Sequence, residues 1–218
     1  MRKSLALLSL GLLGLLALAG QGSAGSSART HFVITGGTVT VALSSDLLGT
    51  LAADDATLSA TGGATIATNK AKQSFLTLPV IGGLTHNAVI ELAPNCRCVS
   101  FVTRGTLVVT GNGKTMTLTK PHFIFNSQLK QNTLSFSFRG ADQSALIFPP
   151  ITLPRSLAGN SFSLTGLDTK VDPNARGIFK GYEAHLGDPG DGAAPNFPYD
   201  RAVEFGTISI KLRLKPLS

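Results

Sequence analysis

The chain contains no tryptophan, and tyrosine, methionine and cysteine occur only twice each among its 218 residues. Charged residues make up only 14% of the sequence, and 19 Lys and Arg outnumber 12 Asp and Glu to give a formal net charge of +7. The basic residues are scattered and do not alternate with aromatic side chains, so we expect no nucleic-acid partner. A basic protein of this kind instead favours anionic partners, such as a wall polymer.

Motifs that identify several enzyme classes are also missing. The chain has no G-x-S-x-G nucleophile elbow, no phosphate-binding loop and no H-E-x-x-H metal motif, so serine hydrolase, nucleotide and zinc-protease functions have no support. The only glutamates, Glu91, Glu183 and Glu204, lie far apart, and their dispersion offers no catalytic carboxylate pair. Hydrolytic chemistry is therefore not expected.

The first 24 residues have the layout of a secretory signal peptide. Arg2 and Lys3 form a positive start, an uncharged stretch rich in Leu and Ala follows over Leu5–Ala19, and Gly22-Ser23-Ala24 offers a small-x-small cleavage site. The apolar stretch is too short to favour a retained membrane helix. We therefore expect residues 1–24 to be removed, and residues 25–218 to form a single secreted domain of the cell envelope, without a transmembrane segment.

The mature part has the composition and periodicity of an all-β protein. Glycine is abundant, with 24 residues, and apolar residues alternate with polar ones in many short segments. Val39, Val41 and Leu43 form one such segment, and Ile208, Ile210, Leu212 and Leu214 form another, which runs from Arg201 to Lys215. Ten or so short strands predict an antiparallel β-sandwich or a closed barrel.

Local signals place several turns and two short helices. Ser44 to Asp46 offer capping side chains for a helix over residues 46–53, and Asp172-Pro173 opens a second candidate helix. The glycines of Gly111-Asn112-Gly113 predict a hairpin turn. We also expect a short strand over Ile151–Leu153 and a bulge at Gly206-Thr207, because apolar residues change parity there.

The two cysteines lie one residue apart, at Cys96 and Cys98. In an extended segment their side chains share a face, with their Cα atoms near the upper limit of about 6.8 Å for a disulfide. A strained disulfide, a pair of metal-binding thiolates and a redox pair all fit this spacing. Because the loop between them is so short, a bridge here does little to stabilise the fold.

The order of these features resembles the HtaA-domain family of exported bacterial proteins. The resemblance runs loosely over residues 32 to 181 and rests on turn glycines and alternating apolar residues. The segments that carry it are ITGGTVTVALSSDLLGTL, LPVIGG, VSFVTRGTLVVT, GKTMTLTKPHFIF and LAGNSFSLTGLDTKVDPNA. The resemblance implies an all-β surface protein, and some members of the family bind haem through a tyrosine supported by a histidine. It therefore implies haem as a cofactor, with Tyr182, Tyr199 and His185 as the candidate binding residues.

Four histidines provide a second candidate site. His31, His86, His122 and His185 could together hold copper, and an exported copper site can dismutate superoxide by redox cycling. No His-x-His pair is present, which separates this chain from familiar copper-zinc superoxide dismutases. The metal site is an alternative hypothesis.

Two functions from different classes follow. The first is a secreted envelope module that binds haem, an anionic polymer or other surface proteins without covalent chemistry. The alternative is a copper-dependent oxidoreductase of the superoxide dismutase type, which requires at least three of the four histidines to lie around one ion.

Overall fold

A computed structural model describes residues 30–53, 55–93, 96–111, 113–128, 132–138, 141–157, 159–171 and 204–217. These residues form twelve strands, one α-helix and one 3-10 helix. In chain order the elements are β1 His31–Leu43, α1 Ser45–Ala53, β2 Thr57–Thr61, β3 Thr65–Thr68, β4 Ser74–Ile81, the 3-10 helix Leu84–His86, β5 Val89–Ala93, β6 Cys96–Thr103, β7 Thr106–Gly111, β8 Lys114–Asn126, β9 Asn132–Phe138, β10 Ala141–Phe148, β11 Ser161–Val171 and β12 Glu204–Pro216.

Eight of the strands close into an antiparallel barrel. The barrel strands follow the order β8-β9-β10-β11-β12-β1-β5-β6, and β6 pairs back onto β8. Closure pairs the backbone of every barrel strand on both sides, which removes the exposed edges of an open sheet. The predicted all-β class is confirmed, and of the two predicted architectures the molecule adopts the barrel.

Two of the three longest strands in the wall, β1 and β8, each change partner part-way along their length. β1 pairs with β5 over His31–Val33 and with β4 over Gly37–Ala42, and its ladder with β12 shifts register between Ile34 and Gly36. Likewise β8 pairs with β7 up to Thr119 and with β6 from His122 onward. Each change coincides with a β-bulge, because the extra residue bends the strand away from its first partner.

These changes of partner add strands at the end of the barrel that carries α1. There, β3 pairs with β4 on one side and β2 pairs with β7 on the other, so that β2 and β3 form the two ends of the strand order. Helix α1 contacts β12 and β2 at this end. At the opposite end, β5 and β6 complete the wall.

The inside of the barrel is filled by apolar side chains that belong to one continuous core. Phe101, Phe123, Phe125 and Phe148 form an aromatic cluster, in which the Phe101 and Phe123 rings stack with centroids 5.0 Å apart. All four phenylalanines are at most 2% exposed. A barrel of eight strands has an interior just wide enough for its own side chains, so this aromatic cluster occupies the place of an internal ligand.

Most local predictions are confirmed. Helix α1 spans Ser45–Ala53, within one residue of the predicted start, and Gly113 has the positive φ, 71°, that the hairpin turn requires. The register between β11 and β12 shifts beside Gly206, where Thr169 pairs with Gly206 and Lys170 pairs with Glu204. The candidate helix at Asp172-Pro173 lies outside the described residues.

The predicted strand over Ile151–Leu153 is wrong. Ile151 and Leu153 are buried and Thr152 is exposed, as the alternation predicts, but the segment is irregular and joins no ladder. Pro149, Pro150 and Pro154 flank it, and proline has no N–H to donate to a neighbouring strand. The segment therefore adds apolar side chains to the core without extending the sheet.

We predict that Phe123→Ala lowers the free energy of unfolding by about 3–5 kcal/mol, because the truncation leaves a cavity in the aromatic cluster. Ile124→Ala is the matched control, since Ile124 is the next residue on β8 and is 36% exposed. The control should change stability by less than about 1 kcal/mol. Urea unfolding followed by circular dichroism measures both variants, and equal losses would contradict a filled barrel interior.

Candidate functional site

Helix α1 is held against the start of β12 by a small hydrogen-bond network. The Ser44 hydroxyl accepts a hydrogen bond from the Leu47 N–H at 2.9 Å and donates one to the Glu204 carbonyl. The Asp46 carboxylate accepts a bond from the Glu204 N–H at 3.3 Å. Ser44 is therefore both the helix N-cap and a link between α1 and β12.

The start of β12 approaches β1 very closely at Gly206. Its φ is +148°, and a Cβ atom at this position would collide with the carbonyl oxygen of Ala42. The buried hydroxyl of Thr169 donates a hydrogen bond to the Gly206 carbonyl at 2.7 Å. Glycine is required here for both conformation and space, and the three strands β1, β11 and β12 are thereby fixed beside α1.

Two adjoining cavities lie at this end of the barrel, and we call them together the α1 cleft. The outer cavity has a volume of about 560 Å³ and the inner one of about 330 Å³. Leu43, Leu48 and Ser74 line both, so the two cavities lie on either side of the same side chains. Their combined size falls in the range of small-molecule binding sites.

The α1 cleft changes from apolar to polar between its inner part and its mouth. The inner walls are mainly apolar and are formed by Leu43, Leu48, Leu51, Ala52, Ala56, Leu58 and Ile66. The mouth carries the polar or charged side chains of Ser44, Ser45, Lys72, Gln73, Glu204 and Thr207. Such a lining suits an amphipathic ligand, whose apolar part is buried while its polar groups stay near water.

The connection between β11 and β12 begins and ends beside this cleft. Lys170 and Glu204 are ladder partners, and Glu204 itself lines the outer cavity. The three residues predicted to bind haem, Tyr182, His185 and Tyr199, belong to this connection and lie outside the described residues. Their role stays a prediction.

The remaining predicted histidines lie on three different elements. His31, at the start of β1, has its Nδ1 2.9 Å from the Thr30 hydroxyl and its Nε2 3.6 Å from a carboxylate oxygen of Glu91. His86 ends the exposed 3-10 helix. His122 lies half-buried on β8, with its Nε2 3.0 Å from the Ser100 hydroxyl.

Within the described ranges, no three His, Cys, Asp or Glu side chains come together in a group that could hold a metal ion. Of the four histidines proposed as copper ligands, His185 lies outside those ranges, so the site stays a prediction. Cys98 is half-buried on β6, while the side chain of Cys96 is not among those described. The predicted disulfide and its alternatives remain open.

Comparison with solved structures shows a clear likeness to a bacterial protein domain. The crystal structure of the C-terminal domain of HtaA from Corynebacterium glutamicum aligns with 84% of this chain and 99% of its own, with a TM-score of 0.53 and 11% sequence identity. The chain shares the fold of that domain. The predicted resemblance to HtaA domains is thus confirmed as a structural resemblance.

Searches with the sequence find no matching family model and no matching curated protein. The likeness to the HtaA domain is therefore one of architecture. In the part of the chain that the structure describes, no helix is long and apolar enough to cross a membrane.

We predict that Ser44→Ala destabilises the protein by about 1–2 kcal/mol, because it removes the N-cap of α1 together with the hydrogen bond to Glu204. Ser45→Ala is the matched control, since Ser45 is exposed and is the first residue of the helix. The control should stay within about 0.5 kcal/mol of the parent. Thermal unfolding compares the two, and equal stability would show that α1 is not held through Ser44.

Proposed function

We propose that this protein is an exported binding module of the cell envelope that holds haem against the α1 cleft and performs no covalent chemistry. The observation that carries the proposal is the pair of adjoining cavities of about 560 and 330 Å³ at one end of a barrel whose interior holds a buried aromatic cluster. The likeness to the HtaA C-terminal domain over 84% of the chain supports an envelope module of this type.

The filled interior restricts where a ligand binds. Phe101, Phe123 and Phe125 occupy the barrel lumen, so a planar ligand as large as a porphyrin has no room there. The α1 cleft is open at the surface and has an apolar inner wall, formed in part by Leu48, Leu51 and Ile66. Burial of porphyrin surface against these side chains would supply the hydrophobic part of the binding energy.

The described lining of the cleft suits the periphery of a haem group and lacks a typical ligand for its iron. Lys72 at the mouth offers a cation for a carboxylate, whereas no Tyr, His, Cys or Met is among the lining residues. An iron ligand must therefore come from another part of the chain. Tyr182, Tyr199 and His185 are suited to this role, because their connection starts and ends at the mouth of the cleft.

We predict that the purified protein binds one equivalent of haem, with a Soret absorption band. Of the two variants Tyr182→Phe and Tyr199→Phe, one should weaken haem binding at least tenfold and the other should leave it nearly unchanged, because only one phenolate coordinates the iron. Each variant is thus the matched control for the other. His185→Ala should have a smaller effect, as expected of a supporting residue.

Titration with haemin, followed by absorption spectroscopy and metal analysis, shows whether the protein binds haem, copper or neither. The absence of a Soret band from the parent protein would refute haem binding. Stoichiometric copper without that band would instead favour the copper-dependent oxidoreductase that uses His31, His86, His122 and His185. If neither haem nor copper binds, the module has another partner in the envelope.

We predict that the full chain is exported in a bacterial host and recovered from the envelope fraction without residues 1–24, because these residues have the layout of a signal peptide. Deletion of residues 2–24 should retain the protein in the cytoplasm without changing its fold. Fractionation with mass spectrometry of the N-terminus measures both. Cytoplasmic retention of the full, uncleaved chain would contradict export, whatever the outcome of the haem titration.

A further inference from the structure

Three cations follow one another on the outer face of β12. Lys211, Arg213 and Lys215 are all exposed and alternate with the buried, inward-facing Leu212 and Leu214. Residues two apart on one strand are separated by about 6.6 Å. We call Lys211, Arg213 and Lys215 the basic strip.

The position of β12 removes a common explanation for such a strip. Exposed lysines often protect the edge of a sheet from pairing with another chain. Over Lys211 and Arg213, β12 has no free edge, because it pairs with β1 across Gly36–Thr38 and with β11 across Ser161–Ser163. Lys215 pairs with β1 alone, at Val33. Edge protection therefore does not explain the charges of Lys211 and Arg213.

The ladder partners of the strip carry no charge. Lys211 lies opposite Thr38 and Ser163, Arg213 lies opposite Gly36 and Ser161, and Lys215 lies opposite Val33. None of the three cations takes part in an ion pair with the described carboxylates. Glu91, on the far side of β1, is instead close to His31. The strip thus presents positive charge that the described residues do not neutralise.

The guanidinium of exposed Arg213 lies over Gly36 of β1. A Cβ atom added to Gly36 would lie only 2.7 Å from Nη2 of Arg213, and Gly36 has a φ of +151°. A larger residue at this position would displace the guanidinium and strain the backbone. The absence of a side chain at Gly36 therefore leaves room for the planar fork of Arg213 across β1, and its donors can reach an anion.

We propose that the basic strip binds a linear phosphodiester polymer of the envelope, with successive phosphates seated on Lys211, Arg213 and Lys215. The single-file arrangement fits an extended chain better than a flat membrane, which would contact cations on several strands. The hydroxyls of Ser161 and Ser163 lie across from Arg213 and Lys211, so each of those phosphates meets a hydroxyl beside its cation. In an extended polymer with three carbons between successive phosphates, the distance from one phosphate to the next is comparable to the distance of about 6.6 Å between alternate residues of β12.

The envelope setting of this inference rests on the proposed function, whereas polymer binding itself is measured on the purified chain. Poly(glycerol phosphate) serves as the probe, in buffers from 50 to 200 mM salt. If three phosphates are neutralised, a plot of log affinity against log salt concentration has a slope of about −2. The affinity then falls about 15-fold between 50 and 200 mM salt.

The test variant is Lys211→Gln, Arg213→Gln and Lys215→Gln combined. It should bind at least tenfold more weakly at 50 mM salt and lose most of the salt dependence. The matched control is Lys70→Gln, Arg104→Gln and Lys170→Gln combined, which removes the same charge from exposed residues elsewhere and should stay within about threefold of the parent. Circular dichroism confirms that both variants fold.

Three results would overturn the proposal. Parental affinity in the strip variant would show that the strip is not the site, and equal losses in the two variants would reduce the effect to net charge. The third result concerns phosphatidylglycerol vesicles, compared with the polymer at equal phosphate concentration. If the parent binds the vesicles more tightly and the strip variant loses that binding, the strip belongs to a lipid-binding surface. Because haem binding is a separate measurement at the α1 cleft, its failure leaves these results unaffected.

Discussion

Closure of the barrel depends on two strands, β1 and β8, that each pair with two different strands in succession along one side. β1 leaves β5 for β4 at the bulge beside Gly36, and β8 leaves β7 for β6 between Thr119 and His122. In β8 the change falls on Lys120, whose φ is positive, and on Pro121, which has no N–H to donate. One end of the barrel is thereby completed by β5 and β6, while the other carries β2, β3, β4, β7 and α1 and has the cleft beside that helix.

Much of this architecture could be predicted from local patterns. Alternation of apolar residues identified β12, the Ser44 hydroxyl identified the start of α1, and the glycines around Asn112 identified a hairpin turn. These signals are local, since each depends on residues a few positions apart. The strand predicted at Ile151–Leu153 failed because alternation reports burial, whereas its flanking prolines prevent pairing.

The candidate site was less predictable than the fold. The α1 cleft brings together Leu43, Ser74 and Glu204, which are distant in the sequence and meet only because β1, β4 and β12 share a wall. The histidines were predicted as metal ligands from the chemistry of imidazole. Their spacing in the sequence does not give the distances between them in a closed barrel. Tyr182 and Tyr199 are linked to the cleft only through the pairing of Lys170 with Glu204.

β12 also organises the charge on the surface of the molecule. Its first residue, Glu204, lies at the α1 cleft near Asp46 and opposite Lys170, so charges of both signs meet there. Its second half carries the basic strip, in which all three charges are positive. With a rise of about 3.3 Å per residue, one continuous strand separates the cleft from the strip. A ligand in the cleft and a polymer on the strip could therefore be held by the same rigid strand without competing.

The central claim is that this filled barrel binds its ligand in the α1 cleft and not inside the lumen. The most direct test is nuclear magnetic resonance of the isotope-labelled protein with one equivalent of haemin, whose paramagnetic iron broadens nearby amide signals. We predict broadening at Leu43, Leu48 and Gly206, with Val99, where β6 pairs with β5 and β8, unaffected. Broadening centred on Val99, or a Soret band without broadening at Leu48, would contradict the claim.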